Sequence, residues 1–341
     1  VSNEVTVMQK IKNKDIADAL GISTAAVSLA LNNKPGVSEE TRQKVFALAN
    51  IKASSPHSSK QLLFVIHKRH GEIIIDKPFF SNLIEAIQIE ASKSNYTVVV
   101  SHYTYDMNLE SYIQSLNEQN IDGVVVLATE MLREDLEQYK KLTIPFVLLD
   151  SDFDIEPYDA ITIDNQSAIL CAFEYAYSLG HRNIGYLKSG VYINNFSHRF
   201  DGYLKGLRQH GLEFRSCTVF TLHCNIEMAY LQMCEILKQL PHDFELPTCF
   251  LSDLDYLAIG AIRALTEYNY RVPEDVSIIG FDDVNACEFI TPQLTTMRVN
   301  QDDIGRLAVQ TLVDRINNPH SYHIHTQVSS DLIIRKSVKD I

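Results

Sequence analysis

The sequence predicts an α/β chain in two parts: a small all-helical N-terminal module, then a two-lobed core built on parallel sheets. Three observations predict it. In residues 1–49, Ile16, Leu20, Val27, Leu31, Val45 and Leu48 recur at helical spacings across three short segments. From Gln61 onward, apolar runs of strand length alternate with amphipathic runs of helix length, the pattern of parallel strands covered on both faces. The strand-like runs number about nine before the C-terminal region, too many for one ordinary sheet of about 4–6 strands. Two lobes of four to six strands each accommodate them.

The elements follow in order. Ser23 and Ser38 stand where helix N-caps are wanted, and Glu39 and Glu40 suit a first helical turn. Residues 32–36, NNKPG, are a turn cluster. Gly21 falls between two short helical patterns, with Ala17 and Val27 placed to pack them together. Such a glycine tolerates the sharp turn of a helix-turn-helix. The serine-rich IKASSPHSSK, residues 51–60, reads as a linker. Then come QLLFVI, TVVVSH, GVVVLA and FVLLD as one series of strands, and AITID, IGYLK, CTVFTL, TCFLSD and VSIIGFDD as a second. LTTMRVN and the final HTQVSSDLIIRKSV complete the sheets. The expected domains are a headpiece over 1–50, a linker over 51–60 and a bilobed domain over 61–341. Within that domain the N-lobe takes about 61–162 and 294–320, and the C-lobe about 163–293 and 321–341.

The net charge of −13 is unevenly spread: residues 1–60 carry eight Lys/Arg against five Asp/Glu, and residues 61–341 carry 22 against 38. An acidic body repels nucleic acid, whereas a basic N-terminal module can bind phosphates or simply present a solvated positive face. No apolar run reaches the ~18 residues of a membrane span, and VSNEVTVMQK offers no signal-peptide core, so no membrane partner and a cytoplasmic location are expected. The six cysteines form no C-x-x-C pair and read as reduced core thiols. The chain has no G-x-S-x-G, no phosphate-binding glycine loop and no zinc spacing. No enzyme activity, cofactor or metal is expected.

A more specific pattern lies on top of these. KDIADALGISTAAVSLALNN (14–33), followed by VSEETRQKV (37–45), resembles the headpiece of LacI/GalR-family transcriptional repressors. IPFVLLD, LGHRNIGY, RFDGY, DYLAIGA, RVPEDVSIIGFDD and TPQLTT resemble that family's core segments, in order. The resemblance implies a periplasmic-binding-protein-like core closing on a small molecule. It also implies a homodimer, or a dimer of dimers, on near-palindromic double-stranded operator DNA. By that resemblance Ser23, Thr24, Ala25, Ser28 and Asn32 lie on or beside the recognition helix, with Lys14 and Lys44 among the cations facing phosphate. Lys12, Lys34 and Arg42 are further cations of this kind, some of them merely solvated surface. Leu29 and Ala26 stand where the family usually has arginine and threonine, so a bidentate guanine contact is missing and methyl contacts remain. The family's leucine-bearing hinge helix is also unexpected here, because only residues 57–61 separate Pro56 from the first core strand.

Ligands of alternating α/β sheets bind at the carboxyl ends of strands. Asp150 and Asp282 end strands, and Arg199 opens a helix. Sugar-responsive members use these positions, and charged groups make strong directional hydrogen bonds to hydroxyls. Phe79 and Phe80 are candidates to cover an apolar sugar face, or core residues. Leu254 replaces a family asparagine, which removes a polar contact, and Asp255 is expected to cap its helix. The loop HKRHGEIIIDKP is longer than usual. His67, Lys68, Arg69 and His70 read as flexible surface, or as groups at the cleft mouth favouring an acidic or phosphorylated ligand. The expected function is a DNA-binding repressor controlled by a small-molecule effector, a sugar or glycoside. A transporter's solute-binding protein and a regulator controlled by a partner protein are the alternatives.

Overall fold

The computed structural model describes residues 13–31, 34, 36–48, 60–74, 78–153 and 157–341. The linker and the hinge expectation at Pro56 lie outside the described residues. The chain divides into two compact units, Val1–Ser59 and Lys60–Ile341.

The first unit is helical: α1 (Asn13–Leu20), α2 (Thr24–Leu31) and α3 (Glu39–Leu48). Ile16, Ala17, Val27, Ala30 and Val45 form its core, with Leu20, Ile22, Leu31 and Val37 packed at the edge. So few buried side chains leave little margin, since small cores supply only a few kcal/mol. Val27 is fully buried, and a carboxylate there would be an unpaired charge in this core. The Val27→Asp chain is expected to lose the folded first unit while the second unit melts at its parental temperature. Limited proteolysis and calorimetry on one preparation check this, and a first unit as resistant to protease as the parent's would refute it.

The second unit contains two six-stranded sheets. The first half of the chain supplies β1 (Lys60–Lys68), α4 (Pro78–Lys93), β2 (Tyr96–Thr104), α5 (Leu109–Asn117), β3 (Gly123–Leu127), α6 (Arg133–Tyr139), β4 (Phe146–Leu149) and β5 (Asp159–Ile163). Next come α7 (Asn165–Ser178), β6 (Ile184–Ser189), α8 (Asn194–Gln209), β7 (Val219–Leu222), α9 (Ile226–Gln239), β8 (Cys249–Ser252), α10 (Asp255–Glu267), β9 (Ser277–Asp282), α11 (Ala286–Phe289) and β10 (Thr295–Val299). The chain ends in α12 (Gln301–Asn317), β11 (His325–Val328) and β12 (Ser330–Ile333). The strand orders are β11-β5-β4-β3-β1-β2 and β12-β10-β9-β8-β6-β7. Every pairing is parallel except β10 with β12.

Strand β1 shows why the runs are continuously apolar. Leu62, Phe64 and Ile66 enter one core cluster and Leu63 and Val65 the opposite one, as two covered faces require.

The lobe boundaries expected near the C-terminus need correction. Residues 294–320 do not belong together in the first lobe, because β10 pairs with β9 in the second sheet. Only α12 returns to cover the first sheet, packing on α4, β3, β4 and β5. Residues 321–341 likewise divide: β11 extends the first sheet beside β5, and β12 closes the second beside β10. Strand periodicity says nothing about which sheet a strand joins. That choice is made by tertiary partners such as Thr296 on β10, whose hydroxyl donates to buried Asp255 of α10 at 2.6 Å.

Among the described residues, no helix is long and apolar enough to cross a membrane. No group of three or more His, Cys, Asp or Glu side chains there could hold a metal ion. All six cysteines are free, and only Cys171 and Cys217 are exposed.

Candidate functional site

In the first unit, α1 and α2 meet at Gly21, whose φ is +64°, a conformation glycine adopts without a Cβ penalty. The Ile22 N–H donates to Ala17 O at 3.1 Å and closes the turn. Ser23 caps α2, its Oγ accepting from the Ala26 N–H at 3.1 Å. Its O–H remains able to donate to an anion. Thr24 and Ala25 are exposed in the first turn of α2, and Ser28 is half-buried. Leu29, standing where the family usually has arginine, points its Cδ1 toward Gly36, 3.3 Å from where a Cβ would sit. Lys44 is exposed and holds Glu40 at 2.7 Å, a weak, solvent-screened surface pair that a phosphate can displace. Arg42, grouped above with the phosphate-facing cations, instead donates to Ala30 O at 3.2 Å and Lys34 O at 3.0 Å. It satisfies carbonyls at the end of α2. Asn32 and the side chain of Lys14 lie outside the described residues.

In the second unit, the carboxyl ends of β3, β4, β8 and β9 face the start of α8. Asp150 and Asp282 lie just at these ends, and both have positive φ, 66° and 107°. For residues with a Cβ such conformations store strain of about 1–3 kcal/mol and concentrate at functional sites. Asp150 is buried, accepting from Thr129 Oγ1 at 2.6 Å and Asn195 Nδ2 at 2.9 Å. Burial pushes its carboxyl up from the usual range, against the two hydrogen bonds and the Arg199 charge. Arg199 is 3% exposed and lies at the centre. Its Nε donates to Asn165 Oδ1 at 2.8 Å, its Nη1 to the Asp253 carbonyl, and its Nη2 sits 3.6 Å from Asp282 Oδ1. The guanidinium stacks 3.6 Å over the Phe281 ring. Phe80 is buried in the same wall, while the side chain of Phe79 lies outside the described residues.

The sequence reading missed Thr129, Asn195 and Asn165. Thr129 and Asn165 lie two residues beyond the carboxyl ends of β3 and β5, which was a usable signal, whereas Asn195 lies in the first turn of α8 and required knowing how that helix faces the strand ends. Asp255 does not cap α10, as expected from sequence. Its oxygens accept from Thr296 Oγ1 and from the Val284 N–H at 2.9 Å, tying α10 to β10 and to the loop after β9. Burial, with the nearby Asp282 charge, pushes Asp255 up to about 7, and burial pushes Asp253 up to about 6.

The loop after β1 is not flexible surface. His67 is buried in β1 itself, its Nδ1 3.1 Å from the Tyr139 hydroxyl. Arg69 is held by Glu134 and Asp135. Glu130, three residues beyond Leu127 at the end of β3, is 1% exposed and accepts five backbone N–H bonds. Arg69, His70 and Gly71 donate to Oε2 at 2.9, 3.1 and 2.8 Å, and Ile73 and Ile74 to Oε1 at 2.9 and 3.0 Å. Burial alone would raise the Glu130 carboxyl, but the N–H groups and His70 outweigh it and hold it below the usual range. Gly71, at φ +73°, permits the turn. The cleft is lined by Ile73, Phe80, Ile163, Ile193, Phe196, Leu254 and Val284 together with Thr129, Asp150, Asn195, Arg199 and Asp282, and its open volume is about 30 Å³. That is room for roughly one water. A wider groove of about 860 Å³ opens between α4 and α12. Charges there pair with one another, Lys93 with Glu90 and Arg306 with Asp303, as on a solvated surface.

Comparison with known proteins decides the family. The signature of bacterial regulatory proteins of the lacI family matches residues 13–51, and that of a periplasmic binding protein-like domain matches 173–338. The HTH-type transcriptional repressor PurR of Serratia proteamaculans is 31% identical over 336 residues, covering 96% of each chain. This chain belongs to the LacI family. It is a DNA-binding transcriptional regulator with the family's headpiece and core. A solved lac repressor dimer bound to operator and an anti-inducer shares the fold at TM-score 0.73 and 23% identity, over 97% of this chain and 100% of that one. A LacI-family regulator from Enterococcus faecium with bound ribose matches at TM-score 0.67 and 25% identity, over 81% of this chain and 99% of that one.

Proposed function

We propose that this LacI-family chain is a repressor that grips near-palindromic duplex DNA as a homodimer, under control of a sugar or glycoside bound in the core cleft. The observation that carries the DNA reading is the exposed N-terminal turn of α2, where Thr24, Ala25 and the Ser23 hydroxyl face outward on a helix-turn-helix. Relatives named as repressors, 27–31% identical over 96% of this chain, support it. The sugar reading rests on Asp150, Arg199 and Asp282 meeting in one cleft, and on a relative whose description names ribose. The homodimer reading rests on apolar side chains left outside the core. Ile89 and Val99 are exposed in the first lobe, and Met228, Leu231 and Phe289 in the second. A second copy of the chain is the occupant proposed for these surfaces.

The test selects binding sites from randomised duplexes with the full chain and then titrates salt. A two-fold symmetric footprint is expected, with affinity falling as salt rises by about 0.9 in log–log slope per phosphate contact. Lys44→Ala should weaken all sites alike and flatten that slope, whereas Ala25→Arg should change which bases are chosen. An asymmetric footprint or salt-independent binding would overturn the DNA reading. If ribose, hexoses and disaccharides all leave operator affinity unchanged, the sugar reading fails and DNA binding still stands.

A further inference from the structure

We propose that the loop 69–74 is a built-in occupant of the effector cleft, anchored by Glu130 and inserted through Ile73, so that any effector must displace it. This rests on the reading of that cleft as the effector site. Two observations converge on it, the anchor and the insertion, and the small open volume is their consequence. The anchor is one buried carboxylate accepting five backbone N–H bonds from a six-residue stretch, far more than a surface loop needs. Such a charge-assisted array fixes a loop as a bound anion would. The insertion crosses between the lobes: Ile73 is 4% exposed and packs into the second lobe's core cluster with Ile193, Phe196 and Leu254, while Ile74 packs into the cluster that holds Leu62, Phe64 and Ile66 of β1. Glu72 adds a second crossing, 3.4 Å from His223 Nε2. The consequence is the 30 Å³ that remains open beside Arg199 and Asp282, far below the ~300 Å³ of even a small ligand site.

The lining agrees with this role. Leu254, Ile193 and Val284 offer the second-lobe wall an apolar surface that matches isoleucine. The polar groups beside it are already engaged with one another: Thr129 and Asn195 on Asp150, Asn165 and Asp282 on Arg199. A ligand therefore competes with an intramolecular partner that dilution does not remove. Its apparent affinity is reduced by the fraction of time the loop is out.

Amide hydrogen exchange on the full chain, without ligand, tests the plug directly. The amides of residues 69, 70, 71, 73 and 74 are expected to be protected in the parent. In Glu130→Gln their exchange should speed up by about ten- to a hundredfold, with protection in β6, β8 and β9 unchanged. Fast exchange of these amides in the parent, or unchanged protection in Glu130→Gln, would overturn the proposal. Ile73→Ala keeps the anchor and empties the insertion, so it covers the case in which Glu130→Gln does not fold. It should keep a cooperative melt and bind 1-anilinonaphthalene-8-sulfonate, an apolar probe whose sulfonate suits Arg199, at least about tenfold more tightly than the parent. Equal dye binding by parent and Ile73→Ala would overturn the plug. A plug that passes these tests while ribose, hexoses and disaccharides bind neither form would leave it standing and remove only the sugar reading.

Discussion

Replacing Arg199 with alanine is expected to lower the melting temperature of the core on the order of 10 °C. The guanidinium is buried and makes three polar contacts, to Asn165, the Asp253 carbonyl and Asp282, besides stacking on Phe281. Removing one partner of a buried ion pair costs about 3–5 kcal/mol, because the other charge is left uncompensated. For a unit of this size each kcal/mol is worth about 2–4 °C. The loss spreads beyond Asp282, since the Arg199 charge also opposes the upward shifts of Asp150 and Asp253. Arg199→Lys should recover only part of the loss: an ammonium can meet Asp282 but cannot fork to Asn165 and stack flat on Phe281. Calorimetry on the three proteins decides it. A melting temperature for Arg199→Ala within about 2 °C of the parent would show that the cluster is held by packing alone.

The second large effect is on pH dependence. Asp255 titrates in the fold at about 7 and Asp253 at about 6, both pushed up mainly by burial from an ordinary value of 3.8. The folded state thus keeps protons that the unfolded chain has released. Between about pH 4 and pH 7 stability therefore falls as pH rises. It is fully present below the unfolded value and gone once Asp255 ionises. A shift of this size corresponds to about 4 kcal/mol for Asp255 alone. His181, shifted down chiefly by burial, works in the opposite direction in acid, because protonating it favours the unfolded chain. The comparison with Asp255→Asn isolates the aspartate. An asparagine can accept from the Val284 N–H through Oδ1 and meet Thr296 Oγ1 through Nδ2, so the contacts at Asp255 are retained without the charge. Urea unfolding from pH 5 to pH 8 should give a shallower slope for Asp255→Asn than for the parent, and greater stability for the variant at pH 8. Parallel curves would refute the assignment.

Much of the architecture was legible along the chain. Gly21 between two short helical patterns, Ser23 and Ser38 as caps, and apolar runs at strand spacing depend on local chemistry. Ser23 indeed accepts from Ala26 and Ser38 from Thr41. Asp150 and Asp282 were legible for a related reason: ligands of such sheets gather at the carboxyl ends of strands, whereas Arg199, inside α8, was legible through the family resemblance. Their convergence in one cleft is a fact of the tertiary structure.

What the tertiary structure decided is of another kind. Whether Thr295–Val299 joins the first or second sheet, whether Arg42 faces solvent or caps α2, and whether Asp255 caps a helix or bridges to Thr296 all depend on a partner remote in sequence. The loop after β1 shows this most clearly. His-Gly-Glu-Ile-Ile reads as polar surface because its apolar residues have no period and its backbone no visible partner. Glu130, 56 to 61 residues away, supplies that partner. A buried carboxylate must find donors, and backbone N–H groups without a ladder must find acceptors. Local pattern determined which segments become helices and strands. The mutual satisfaction of buried polar groups across the fold decided what fills the cleft.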